Sequence, residues 1–142
     1  GQSQEFFYEG LIRHDPVEKD QIVVAAFTGN SNTLGSFSEN YSFTRNRLWF
    51  PHEDLVAHVS LLEPDFLVYT GDQVYEGRPT APDRSGGLSS YLDYLYKWYL
   101  WCWAYRELTR DTPAVMIPDD HDVYQGNLWG HGGRKAPSSR HC

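Results

Sequence analysis

Three short apolar runs, separated by two stretches of helical spacing, organise this chain. Gln21–Phe27 (QIVVAAF), Asp65–Thr70 (DFLVYT) and Thr112–Ile117 (TPAVMI) are continuous, β-rich and apolar, as strands buried in a parallel sheet are. Between the first two runs, Pro51–Glu63 (PHEDLVAHVSLLE) predicts a helix with Leu55, Val56, Val59 and Leu62 on one face. Pro51 suits its first turn, Glu53 and Asp54 suit a helix N-terminus, and Pro64 stops it. His58 lies near the apolar edge of this helix and reads as structural. Between the second and third runs, Leu88–Leu108 (LSSYLDYLYKWYLWCWAYREL) predicts one long helix, apolar nearly all round. Asp93 and Lys97, four apart, give it a narrow polar stripe and an ion pair of favourable polarity. The order strand, loop, helix, strand, helix, strand implies right-handed βαβ units and a mainly parallel sheet, so the fold class is α/β.

The remaining segments read as connections. Gly1–Asp20 is polar and irregular, with a turn at His14-Asp15-Pro16, and Thr28–Asn46 is a long loop rich in Ser, Asn and Gly. Glu76–Gly87 is a Gly/Pro/Ser loop, and the chain after Gly130 is Gly, Ser, Pro and basic residues. With 142 residues there is room for one domain with a real core. The division is an N-terminal segment over 1–20, a domain over 21–133 and a tail over 134–142.

Composition narrows the function classes. Hydrophobic residues at 40% and charged residues at 22% argue against disorder, and the 15% of aromatics must be stacked inside or used at a surface. A net charge of −7 argues against a nucleic-acid-specific surface, and an acidic protein that handles phosphate needs cations to reverse the local field. Two cysteines, Cys102 and Cys142, build neither a disulfide framework nor a zinc cluster; Cys102 is expected as a small buried hydrophobe. The longest apolar stretch contains Asp93, Lys97 and Arg106, which excludes a membrane span there. The first residue is Gly1 and no leader-like apolar run is visible, which leaves the compartment open.

The candidate chemistry sits at two strand ends. The second and third apolar runs each end in an acidic turn, Gly71-Asp72-Gln73-Val74-Tyr75-Glu76 and Asp119-Asp120-His121-Asp122. One crossover with a long helix separates them, so both are expected to emerge on the same sheet edge from neighbouring strands. Carboxylates gathered this way suit hard cations at about 2.0–2.6 Å, and two ions about 3.5–4 Å apart clamp a phosphoryl group. Tyr75, three residues after Asp72, is within reach of the cluster, and a phenolate suits a strongly Lewis-acidic ion. His121 supplies a proton near neutral pH, with Asp122 beside it to tune its orientation, so these two are the candidate catalytic pair. Asp119 is assigned to capping the turn. Acid-rich turns also arise because Asp satisfies backbone donors; finding two of them in one presumed sheet weakens that explanation.

Three blocks carry a family resemblance: PDFLVYTGDQVYEGRPT (Pro64–Thr80), WYLWCWAYREL (Trp98–Leu108) and PAVMIPDDHDVYQGNLWGHGG (Pro113–Gly133). FTGNSN (Phe27–Asn32) and FPHEDLVAHV (Phe50–Val59) fit in order and spacing. Over roughly Gln21–Gly133 the chain resembles the alkaline phosphatase D (PhoD-like) branch of the calcineurin-type metallophosphoesterases. The resemblance implies an α/β/β/α sandwich, of which this chain is expected to be the N-terminal βαβαβ part, and hydrolysis of phosphate mono- or diesters by metal-activated hydroxide. It implies metal ligation by Asp72, Tyr75 and Asp120, a transition-state histidine at His121, iron and calcium as cofactors, and a secreted or periplasmic location. The cysteine that the family can place after its first strand is absent from Phe27-Thr28-Gly29-Asn30, where Asn30 is a weak substitute. His131 and His141 stand in no Gly-His-x-His setting. Two readings compete with a hydrolase: a catalytically incompetent remnant that binds metal or a protein partner, and a carbohydrate-binding module using exposed aromatics. Exposed apolar surface around Trp98, Trp101 and Tyr105 is expected to promote association.

Overall fold

The computed structural model describes residues 8–33 and 49–125. The expectations for the 134–142 tail, for His131 and His141, and for most of the Thr28–Asn46 loop lie outside the described residues. Within them the order is β1 (Val24–Phe27), α1 (Glu53–Ser60), β2 (Phe66–Tyr69), α2 (Leu88–Thr109) and β3 (Ala114–Met116), followed by a 3-10 turn at Asp120–Val123. The strands form one parallel sheet with β2 in the middle, pairing Phe27 with Tyr69 and Tyr69 with Met116. The protein is therefore mixed α/β, with a small parallel sheet and two helices.

Each strand is shorter than its apolar run. Val23 shows why: its carbonyl accepts the amides of Asp65 and Phe66, and its own amide goes to the Asp65 carboxylate at 3.0 Å. A side chain thus ends the β1–β2 ladder, and Lys19 pairs with the same carboxylate. Burial alternates along the strands. Ala25, Phe27, Leu67, Tyr69 and Ala114 pack into one cluster with Val56 and Val59 of α1 and Trp101, Ala104, Tyr105 and Leu108 of α2. Both helices therefore cover the same face. Val24, Ala26 and Val115, on the other face, are exposed.

The core is mostly aromatic. Tyr69 stacks on Phe27 at 4.7 Å and meets Trp101 and Tyr105 edge-on at 5.0 and 5.7 Å. Offset and edge-on contacts of this kind add roughly 0.5–1.5 kcal/mol per pair beyond area burial.

α2 spans nearly the residues expected, but its environment corrects three expectations. Trp101 and Tyr105 are buried, and the exposed apolar surface instead comes from Leu92, Leu95, Tyr96, Tyr99 and Trp103. Cys102 is exposed, not a core hydrophobe, because it lies on the helix side away from the sheet. The Asp93–Lys97 pair, at 2.6 Å, is an inward contact, with Lys97 only 1% exposed. The Asp93 carboxylate also accepts the Asp83 amide at 3.1 Å, so the buried ammonium faces an anchored counter-charge. α1 begins at Glu53, later than Pro51, because His52 adopts a left-handed conformation (φ 61°) at its N-cap. His58 donates to or accepts from nothing catalytic: its Nδ1 lies 2.6 Å from the Asp54 carbonyl one turn earlier.

Two outcomes are expected. Leu67→Ala, at a position with no solvent exposure, should cost about 2–5 kcal/mol in urea denaturation. Leu95→Ala, at 61% exposure, should stay within about 0.5 kcal/mol. The second outcome concerns acid. Hydrogen bonds from the Ser85 hydroxyl and amide, and from Ser89, hold the Asp83 carboxyl down at about 2. Its folded value is depressed, so its contribution is complete above the ordinary carboxylate range near 4 and is lost as the pH falls through about 2. The melting-temperature gap between the wild type and Asp83→Asn should accordingly close over that window.

Candidate metal centre

Parallel pairing puts the C-terminal ends of β2 and β3 side by side, and both acidic turns start there. The turns come closer than most residues permit. A Cβ built on Gly71 would stand 2.4 Å from Asp119 Cβ and 2.9 Å from its amide nitrogen, and Gly71 has φ 111°. Glycine is therefore required here by contact and by conformation. Asp72 follows in the left-handed region at φ 54°, which Asp tolerates better than most residues.

Side chains bind one turn to the other. Asp122 is buried and accepts the Val74 amide at 3.1 Å with one oxygen and the Asp119 amide at 2.9 Å with the other. Gln73 donates to the Ile117 carbonyl at 3.2 Å. Asp119 caps the 3-10 turn in a reciprocal box with Asp122, in the capping place assigned to it. The turn after β1 joins the assembly through its backbone: Gly29 donates to Gly71 O at 3.2 Å and Asn30 to Asp72 O at 3.0 Å. The Asn30 side chain is engaged elsewhere, accepting from the Tyr105 hydroxyl at 2.6 Å.

The result is a cluster. One ligand atom from each of Asp72, Asp120 and His121 lies within 4.8 Å of the others, and all three residues are half-buried. Tyr75 donates its phenol to Asp72 Oδ2 at 3.1 Å, and its ring leans on His121 with centroids 4.7 Å apart. Asp72 Oδ1 is buried and has no hydrogen-bond partner among the described residues. Burial pushes the Asp72 carboxyl up, and the nearby Asp119 and Asp122 carboxylates push the same way, against the Tyr75 hydrogen bond and His121. The Tyr75 phenol is pushed up to about 12 by burial and by Asp72.

An unpartnered buried oxygen, a second carboxylate and an imidazole form a donor set that fits a divalent or trivalent cation. A cation would satisfy Asp72 Oδ1 and offset both the burial and the neighbouring carboxylates that raise the carboxyl. Asp72, Asp120 and His121, all singled out from sequence, are thus brought together, and Tyr75 is in hydrogen-bond contact with the group. Asp122 does not pair with the His121 imidazole; its oxygens go to the two amides. The carboxylate on His121 is Glu76, whose Oε2 lies 2.6 Å from Nδ1. Sequence reasoning missed this partner; its one signal was an acidic residue closing the first turn.

Among the described residues, concavities lie elsewhere as well, one lined by Arg13, Lys19, Glu63 and Asp111 near the N-terminal ends of β2 and β3, another by Trp49–Leu55. Neither borders the acidic turns. No helix among the described residues is long and apolar enough to cross a membrane. In comparisons with known proteins, the chain matches no family model, no curated protein and no solved structure.

Without metal, Asp72 is a strained element. Asp72→Asn should raise the stability of the metal-free protein near neutral pH, read as a higher melting temperature. The sign follows from the raised folded-state pKa: ionising Asp72 costs the fold stability as pH rises. An unchanged or lower melting temperature would refute this account of the carboxylate.

Proposed function

We propose that the paired acidic turns are the metal centre of a phosphoester hydrolase of the PhoD-like, calcineurin-type kind. The observation that carries this reading is the convergence of Asp72, Asp120 and His121 from two adjacent strand ends, with one Asp72 oxygen buried and unpartnered. A cation held there supplies Lewis acidity, neutralising phosphoryl charge and acidifying a water. Asp72 and Asp120 are the residues that hold it. Tyr75 would join them only as a phenolate, and because burial and Asp72 hold its proton, a strongly Lewis-acidic ion would suit that role. Iron with calcium is the pairing the resemblance suggests.

His121 stands beside the carboxylates and protonates the leaving alkoxide or steadies charge as the ester bond breaks. Asp122 keeps the two turns together by holding both amides, and so acts through placement of its neighbours. The bare sheet face carrying Val24, Ala26 and Val115 is, in this reading, the surface on which a second β layer packs to complete an α/β/β/α sandwich. A compartment outside the cytoplasm belongs to the same proposal and rests on the resemblance alone.

A second reading, a metal- or protein-binding domain without turnover, draws on that bare face and on the exposed aromatic side of α2. Activity separates the two. With added iron, calcium or manganese, the protein should hydrolyse p-nitrophenyl phosphate or its bis-ester, and Asp72→Asn should lower kcat/KM by about 10²-fold or more. Calorimetric metal binding with no turnover would support the second reading, and no metal binding at all would sink the metal centre.

A further inference from the structure

Glu76 is a buried acid whose role the metal centre does not account for. It is 2% exposed, and a carboxylate so far from water is costly unless it is hydrogen-bonded and paired. Both oxygens have partners. Oε2 lies 2.6 Å from His121 Nδ1 and Oε1 lies 3.5 Å from Arg84 Nη2. We propose that Glu76 is the positioning residue of His121, fixing the imidazole with its proton on Nδ1 and leaving Nε2 as the nitrogen offered to a ligand or substrate.

The chemistry follows from what each group can do. An ionised carboxylate only accepts, so the nitrogen against it must be the donor. Nδ1 is thereby spoken for and Nε2 is left over. A second-sphere carboxylate acts this way on many metal-site histidines, where it sets tautomer and ring orientation together. The rest of the residue is held too. The His121 carbonyl accepts from the Tyr94 hydroxyl, and the ring face leans on Tyr75 at 4.7 Å with a 52° tilt. The backbone is restrained from α2, and the ring plane and Nδ1 by two successive residues of the first acidic turn. Asp122, the neighbour in sequence, cannot serve instead, because both its oxygens are committed to amides.

With the proton on Nδ1, neutral His121 offers a lone pair at Nε2 and serves directly as a ligand; as the proton donor of the hydrolase reading it acts only once Nε2 has taken up a proton of its own, so what Nε2 meets depends on that reading, whereas the tautomer does not. A simple staple between the turns would affect stability without setting the proton's position. Long-range nitrogen–proton NMR on the metal-free, histidine-labelled full chain reads that position directly. The wild type at mildly alkaline pH should carry the proton on Nδ1, and Glu76→Leu should mix the two tautomers. In the metal-loaded protein, Glu76→Gln should lower kcat for p-nitrophenyl phosphate by about 10–100-fold with KM changed less than about threefold.

A wild-type spectrum with the proton on Nε2 overturns the proposal, whether or not any variant folds. So does a folded Glu76→Gln protein with wild-type kcat. An Nδ1–H tautomer that depends on Glu76 in a protein without turnover upholds the positioning role and defeats the hydrolase reading instead.

Discussion

Asp122 holds together two turns that electrostatics would push apart. Asp72, Asp119 and Asp120 are acidic neighbours at the ends of β2 and β3, and like charges at short range repel one another. Their proximity therefore has to be enforced by hydrogen bonds that outweigh the repulsion. Asp122 does this by accepting one backbone amide from each turn, at 3.1 and 2.9 Å. Gly71 permits the approach by having no side chain where Asp119 stands. The parallel register of Tyr69 with Met116 brings the two chains to the same height before the turns begin. A cluster assembled this way has its geometry settled by contacts to the backbone, and in the proposed reading it is where a cation would sit.

Support reaches the centre from below through aromatic residues with polar tips. Tyr105 is fully buried between sheet and helix, yet its hydroxyl extends to Asn30, whose amide holds the Asp72 carbonyl. The hydrophobic core and the acidic turns are thus one mechanical unit. The Asp93–Lys97 pair plays a similar part on α2, where a buried charge with an anchored partner tolerates only one rotation of the helix about its axis.

Much of this was legible in the chain. The elements were, because unbroken β-rich runs and 3.6-residue spacing are local signals, and the acidic turns were, because each follows a strand directly. Convergence of Asp72 and Asp120 followed from crossover length alone. The rest depends on contacts between distant segments. No local spacing links Glu76 to His121, which meet across 45 residues. An all-round apolar helix has no face to choose by, so Cys102 and Trp101 exchanged their expected environments once the sheet covered one side. Strand lengths were overread for a related reason: Asp65, a side chain, terminates a ladder that hydrophobicity alone would extend.

Tyr94 links the long helix to the imidazole. Its hydroxyl donates to the His121 carbonyl and accepts from the Tyr124 amide at 3.1 Å, so one oxygen on α2 grips both ends of the 3-10 turn. Any sliding of α2 along its length would tug His121 with it. The exposed aromatic flank with Tyr99 and Trp103 and the anchor of the histidine's backbone thus belong to one and the same helix.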